Sequence, residues 1–250
     1  MMQSSGGFTM AISLNELIER YKKLSTPVVY DILDKMGYPY QALSAEIKPL
    51  DPKMVVAGPA YTIKGADTVK GAPKAAVSSF QMFRELYPGC VIVMDMGHHT
   101  ASGPWGENTS LTARRAGAQG IVMDGATRDA NPICELGDFA CFCKFLTPVF
   151  GEGRFRMEAF QIPISMPGQL TKTVVVQPGD FVVGDRDGVV VIPKELVEEV
   201  LVAGEKLEEI EQNIRRELLA GVDREIVYKK YPKFAHVRRP PGVEAGEGTV

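Results

Sequence analysis

WGENTSLTARRAGAQGIVMDGATRD, residues 105–129, is the stretch on which the fold turns. A Gly-Glu-Asn-Thr-Ser turn leads into a helical pattern that begins near Asn108 or Thr109. An apolar strand, GIVMDG, follows, and the stretch ends in a loop with Arg128 beside Asp129. A compact crossover returns the end of such a strand to the side of the sheet where the helix began, which puts the ATRD loop near the helix start. The first turn of any helix exposes N–H groups without helical partners, backed by the helix dipole, and so offers an anion site. Arg128 adds a planar fork suited to a carboxylate, and Asp129 adds a hard oxygen ligand. Glu107 puts a second carboxylate at the turn. Two carboxylates beside an anion site work against it unless a cation lies between them, and oxygen ligands with retained waters suit magnesium or manganese. Spacing alone leaves open a structural Arg and Asp that cap loops, and it names no reaction.

Outward from this stretch, strand and helix patterns alternate. PGCVIVMDM reads as a strand after a Pro-Gly turn, KAAVSSFQMFREL as a helix, VVAGPAYTIKG as β-rich, and NPICELGDF as the start of a short helix. Strand, helix, strand, helix is the pattern of a sheet with helical crossovers. Two helices precede it. SLNELIERYKKL has Ser13 as cap, Glu16 completing a capping box, and Leu14, Leu17, Ile18 and Tyr21 on one face; STPVVYDILDKMG has Thr26 as cap, Pro27 in the first turn and Gly37 as terminator. TKTVVVQPGD, FVVGDRDG and VVVIP then read as hairpins or a meander, with Asp-Gly turn chemistry explaining Asp185 and Asp187.

A long charged helix is predicted from about Lys194 to Leu219. Its stripe of Leu196, Val197, Val200, Leu201, Leu207, Ile210, Ile214 and Leu218 implies that it covers a neighbour. The chain divides into a flexible arm over 1–12, an α/β domain over 13–193, the helix over 194–220 and an extended Pro- and Gly-rich arm over 221–250.

The 250 residues, 45% hydrophobic and 24% charged, suffice for a globular core. Twenty-eight basic against 31 acidic residues give a net charge of −3, which predicts no general attraction to nucleic acid or to acidic membrane. No apolar run approaches the roughly 18–20 residues that span a bilayer, and MMQSSGGFTM lacks a secretion signal's regions, so a cytoplasmic protein is expected. Cys90, Cys134, Cys141 and Cys143 show no paired CxxC spacing. Strand alternation is read as separating Cys141 from Cys143, and all four are expected to be free thiols, mostly buried.

LSTPVVYDILDKMG, GPAYTIKG, PGCVIVMD, the opening stretch and PGDFVVGDRDGVVVIP, in that order, resemble the RraA-like family between about Leu24 and Pro193. That family includes 4-hydroxy-4-methyl-2-oxoglutarate aldolases, and some members carry a legacy label as demethylmenaquinone methyltransferases. No glycine-rich cofactor loop after an early strand supports methyl transfer here.

The resemblance implies a layered β/β/α swivelling-type sandwich with a mixed central sheet, and a homotrimer or hexamer. It further implies a class II, Mg2+- or Mn2+-dependent aldolase that yields pyruvate from a 2-oxo acid and also decarboxylates oxaloacetate. By the same resemblance Asp129 holds the metal, Arg128 binds the substrate, backbone amides of Gly106, Glu107, Asn108 and Thr109 hold its carboxylate and carbonyl, and Glu107 touches the metal through water. Aldolase members often have apolar residues at the positions of Asn108 and Thr109, which leaves the substrate tail open. Other relatives regulate an RNA-processing endonuclease by protein contact. Those typically lack the Asp after the Arg and the long C-terminal helix, so a non-catalytic binding protein is the competing expectation.

Several other residues bear on the chemistry. His98 and His99, just before the turn, read as loop residues of which one could reach the site mouth. Lys144 is the Schiff-base alternative to a metal, with nothing nearby to depress its pKa. Trp105 reads as core. Glu208 and Glu211 are the carboxylates that the resemblance would have a neighbouring subunit donate.

Overall fold

The computed structural model describes residues 12–69, 71–73 and 77–240. Nearly all of the expected N-terminal arm, and 241–250 of the C-terminal one, lie outside the described residues.

Ser13 caps α1 (Leu14–Tyr21), its hydroxyl accepting the Glu16 N–H at 3.3 Å. The expected capping box is not completed among the described residues, because the Glu16 carboxylate accepts from Arg20 one turn on, at 3.1 Å. Helix α2 (Thr26–Met36) ends at Gly37, whose left-handed φ of 95° an L side chain would resist. Its start corrects the sequence reading: Thr26 is the first helical residue, not the cap. Asp185, 159 residues away, takes over the capping, with Oδ2 accepting the Thr26 N–H at 2.8 Å and Oδ1 the Thr26 hydroxyl at 2.6 Å. The Asp185 turn is thus also a tether between the last hairpin and the N-terminal helices.

The middle of the chain runs β1 (Lys48–Pro49), β2 (Val56–Asp67), α3 (Ser79–Glu85), β3 (Val91–Asp95), α4 (Glu107–Arg115), β4 (Gly120–Met123), β5 (Ala126–Thr127), α5 (Ala130–Glu135), β6 (Ala140–Cys143) and β7 (Phe145–Leu146). Then follow β8 (Phe155–Phe160), β9 (Ile164–Pro167), β10 (Thr173–Val176), β11 (Phe181–Gly184) and β12 (Val189–Ile192). A short 3-10 turn (Lys194–Leu196) leads into α6 (Val197–Leu219) and α7 (Arg224–Lys230). Helix α3 is shorter than expected because Ser78 caps it, accepting the Gln81 N–H.

The architecture is α/β, with a mixed eight-stranded sheet in the order β1-β6-β4-β3-β2-β11-β12 and β8 added alongside β2. Strands β2, β3, β4 and β6 are mutually parallel, as helical crossovers require, while β1, β8, β11 and β12 pair antiparallel. The expected β11–β12 hairpin is present. Strand β10 is not its neighbour but pairs with β9 in a separate ribbon, so the segments do not form one meander.

Two further readings are corrected. Cys141 and Cys143 stand two apart in β6, and the period of a strand is two, so they share a face: both lie in one apolar cluster while Phe142 lies in the opposite one. All four cysteines are free. The first half of the helix α6 stripe is covered from within the chain, whereas Leu218 at its far end is exposed. Leu196, Val197, Val200, Leu201 and Leu207 are buried with Leu17, Tyr21, Val28 and Ile32 of α1 and α2. Gly204 lets α6 approach the connection between α1 and α2, since a Cβ there would come within 2.9 Å of Leu24 Cδ1. Beyond it, Val227 of α7 is buried in a stretch expected to be extended, and Asp223 caps that helix through the Glu225 N–H at 2.8 Å.

Candidate active site

Helix α4 is the crossover between β3 and β4, so its first turn stands at the carboxyl ends of those parallel strands, where open α/β sheets bind ligands. The turn is built by its own residues. Gly106 is the N-cap, its N–H donating to the Thr109 hydroxyl at 2.8 Å, and that hydroxyl donates back to the Gly106 carbonyl at 2.7 Å. The helix therefore starts at Glu107, earlier than Asn108 or Thr109. Trp105 is fully buried beneath the turn, and its indole N–H donates to Ser110 Oγ at 2.9 Å.

The chain leaving β4 is led back to this turn. Buried Asp124 accepts the Met96 N–H at 2.5 Å, joining the ends of β3 and β4, and burial pushes its carboxyl above the usual range. Strand β5 then bridges to Trp105: the Thr127 hydroxyl and the Arg128 N–H both donate to the Trp105 carbonyl, at 3.0 and 3.1 Å. Next in sequence, Asp129 adopts a left-handed φ of 58° and caps α5. Asp tolerates that conformation better than most residues.

These links bring together the residues that the sequence picked out. The Glu107 N–H donates to Asp129 Oδ2 at 3.2 Å, and Arg128 Nε lies 3.6 Å from the same oxygen. Arg128 and Asp129 are 33% and 37% exposed, enough for a small ligand to reach both. Among the described residues no hydrogen bond engages the Arg128 Nη atoms, Asp129 Oδ1 or the Glu107 carboxylate. Gly106 makes the closeness possible, because a Cβ there would lie 2.5 Å from Asp129 Oδ2 and 3.2 Å from Arg128 Cγ. Its φ of −160° is ordinary extended backbone, so what glycine supplies is room.

Other candidates fall elsewhere. His99 is buried, its Nδ1 against Asp67 and its Nε2 2.6 Å from Ser102 Oγ, so it braces the loop and does not face a ligand. His98 is exposed with a left-handed φ of 65°. Lys144 pairs with Glu46 at 3.1 Å. Glu211 pairs with Lys233, and Glu208 accepts from Gln212 at 3.2 Å. One residue at the site escaped the sequence reading: the ring of Phe150 lies against Arg128, its centroid 4.6 Å from the guanidinium carbon. No helical or strand period marks it in TPVFGEG.

A protein named "Putative 4-hydroxy-4-methyl-2-oxoglutarate aldolase" from Halalkalibacterium halodurans is 32% identical over 76% of this chain and 83% of its own length. Protein DlpA of Legionella pneumophila is 28% identical over 84% of this chain, which spans only 32% of DlpA. The crystal structure of Streptomyces coelicolor RraAS2, described as an unusual member of the RNase ES inhibitor RraA protein family, superposes with a TM-score of 0.70. It is 27% identical and the match covers 81% of this chain and 98% of that one. The family model described as Aldolase/RraA matches residues 26–191, from the first residue of α2 to the last hairpin strand and across the whole Gly106–Asp129 site, and the chain belongs to this RraA-like family.

Proposed function

We propose that the protein is a divalent-metal-dependent lyase that cleaves a 4-hydroxy-2-oxo acid to pyruvate and a second keto acid, and that also decarboxylates oxaloacetate. The observation that carries this is the Glu107 N–H to Asp129 Oδ2 contact, which sets the Arg-Asp pair against the amino end of α4. The layered β/β/α swivelling-type description of the architecture belongs to the same proposal.

The donor set fits Mg2+ or Mn2+. Asp129 Oδ2 is engaged by the Glu107 N–H, which leaves Oδ1 for an ion, with the Glu107 carboxylate on the adjoining turn. No group of three or more ligating side chains forms a cage among the described residues. An ion that retains several waters takes only one or two protein carboxylates, so the open arrangement suits it. When bound, such an ion supplies Lewis-acid stabilisation of the charge that develops on the 2-oxo oxygen as the carbon–carbon bond breaks.

The chain's own groups supply the rest. The Arg128 fork binds the substrate carboxylate, assisted by the first-turn N–H groups of Asn108 and Thr109; those of Gly106 and Glu107, expected to share this role, already donate to Thr109 Oγ1 and Asp129 Oδ2. Glu107 takes the proton from the 4-hydroxyl as the carbon–carbon bond breaks and returns it to the enolate carbon, which releases pyruvate. Arg128→Lys keeps the charge but loses the paired donors, and is expected to raise KM for the 2-oxo acid about tenfold with a smaller change in kcat. Oxalate, which mimics the pyruvate enolate, is expected to compete with substrate. Steady-state kinetics check both, and an unchanged KM together with non-competitive oxalate would place the carboxylate elsewhere.

We also propose a homotrimer or a hexamer with the site near a subunit boundary, a carboxylate such as Glu208 or Glu211 being contributed by the neighbour. Light scattering of the full chain decides this: a monomer that is fully active at nanomolar concentration removes the shared site. A second reading, a non-catalytic regulator acting by protein contact, is supported by the likeness to RraAS2. The exposed Arg128 and Asp129 together favour the enzyme, since a regulator has no use for an anion site and a metal ligand side by side.

A further inference from the structure

We propose that Phe150 is a positioning residue, holding the Arg128 guanidinium in place at the helix start before substrate arrives. The inference rests on Arg128 being the carboxylate-binding group, and adds a residue that neither the motif nor the α4 turn contains.

Phe150 is 50% exposed and belongs to none of the three buried clusters, so packing in the core does not explain it. Among the described residues the cation over its ring is Arg128, whose guanidinium carbon lies 4.6 Å from the centroid. A cation at that distance over a ring face is attracted by the ring quadrupole, and a planar guanidinium is held in orientation as well.

The ring can do this because its backbone is anchored. Phe150 bridges Gly103, and the Gly103 N–H donates to the Val149 carbonyl at 2.9 Å. Arg154 Nη1 donates to the Phe150 carbonyl at 3.2 Å, and Gly151 sits so near Pro104 that an added Cβ would come within 2.7 Å of its Cα. The Thr147 N–H donates to the Thr127 carbonyl at 3.1 Å. Residues 147–151 are thereby tied to both strips that make the site, 103–105 before α4 and 126–128 before the Arg-Asp pair. The guanidinium is held at two points, its carbon over the Phe150 ring and its Nε 3.6 Å from Asp129 Oδ2. An arginine ordered beforehand loses less conformational freedom when it binds.

Calorimetry on the full-length protein tests this with two probes, Mg2+ alone and then oxalate in saturating Mg2+. Phe150→Leu, which keeps apolar bulk but loses the ring, is expected to weaken oxalate about 3- to 30-fold and to leave the Mg2+ affinity within about twofold. Phe150→Tyr, which keeps the ring face, is expected to hold the wild-type oxalate affinity. Equal weakening of both probes by Phe150→Leu would mean that the ring merely props up the loop, and unchanged oxalate binding would mean that it does nothing for Arg128; either result overturns the proposal. Wild-type protein that binds Mg2+ but no oxalate would overturn the carboxylate reading of Arg128 and this inference with it.

Discussion

Asp129→Asn is expected to leave a folded protein whose pyruvate-forming activity is lower by at least about 100-fold at any magnesium concentration. Asparagine is the right replacement because residue 129 sits at φ 58°, a conformation that Asn and Asp tolerate and most other side chains resist. Its amide oxygen can still accept the Glu107 N–H, so the contact that seats the loop survives while the charge that holds a cation is gone. Asp129→Ala should be as inactive, with about 1 kcal/mol of added backbone strain. Activity measured with thermal unfolding on the same samples separates the two effects. Wild-type turnover by either variant in the presence of a chelator would show that Asp129 is not a metal ligand in this reaction.

Gly106→Ala is the second large effect expected, about 10- to 100-fold in kcat/KM, though the residue has no side chain to lose. Its φ of −160° suits alanine, so the helix should still form and melting should shift by only a few degrees. The new methyl group, however, would fall 2.5 Å from Asp129 Oδ2, inside van der Waals contact, and 3.2 Å from Arg128 Cγ. The Arg-Asp loop must then move off the helix start, and a displacement of about 1 Å is enough to cost about two orders of magnitude in rate. Both oxalate and magnesium should bind more weakly, unlike the Phe150→Leu result. Kinetics indistinguishable from wild type would mean that the close approach of the two segments is incidental.

What the sequence revealed, and what it hid, divides along the distance over which each contact acts. The crossover from β3 through α4 to β4 was legible because its signals are local: a Gly-containing turn, a helical period, a short apolar strand. From those alone the return of Arg128 and Asp129 to the amino end of α4 could be expected, and the Trp105–Thr127 bridge is how the chain achieves it. Helix α2 shows the limit. Thr26 looks like a cap, yet the oxygen that accepts its N–H comes from Asp185 in a hairpin whose own turn chemistry fully explained that aspartate. Pro167-Gly168 marks a turn before β10, but the four-residue segment ISMP ahead of it was not read as a strand, so the separate β9–β10 ribbon was missed.

The long helix was misread for a related reason. A stripe of Val200, Leu201 and Leu207 says that something covers it, not what, and the cover proved to be α1 and α2 of the same chain. The Cys141–Cys143 pair was a plain error of period, since residues two apart in a strand face the same way. Phe150 escaped because its role depends on the Gly103 pairing, a contact between segments with no shared pattern.

The central claim, that Arg128, Asp129 and the α4 turn form a metal-assisted 2-oxo acid lyase site, is tested most directly by pyruvate release from the purified full chain. Oxaloacetate and a 4-hydroxy-2-oxo diacid serve as substrates, each with Mg2+ and with excess chelator. Pyruvate should form from at least one of them only when the metal is present, and it should return when Mg2+ is added back to the chelated sample. Pyruvate formation at the same rate with chelator, or none from either substrate with Mg2+ or Mn2+, would contradict the assignment.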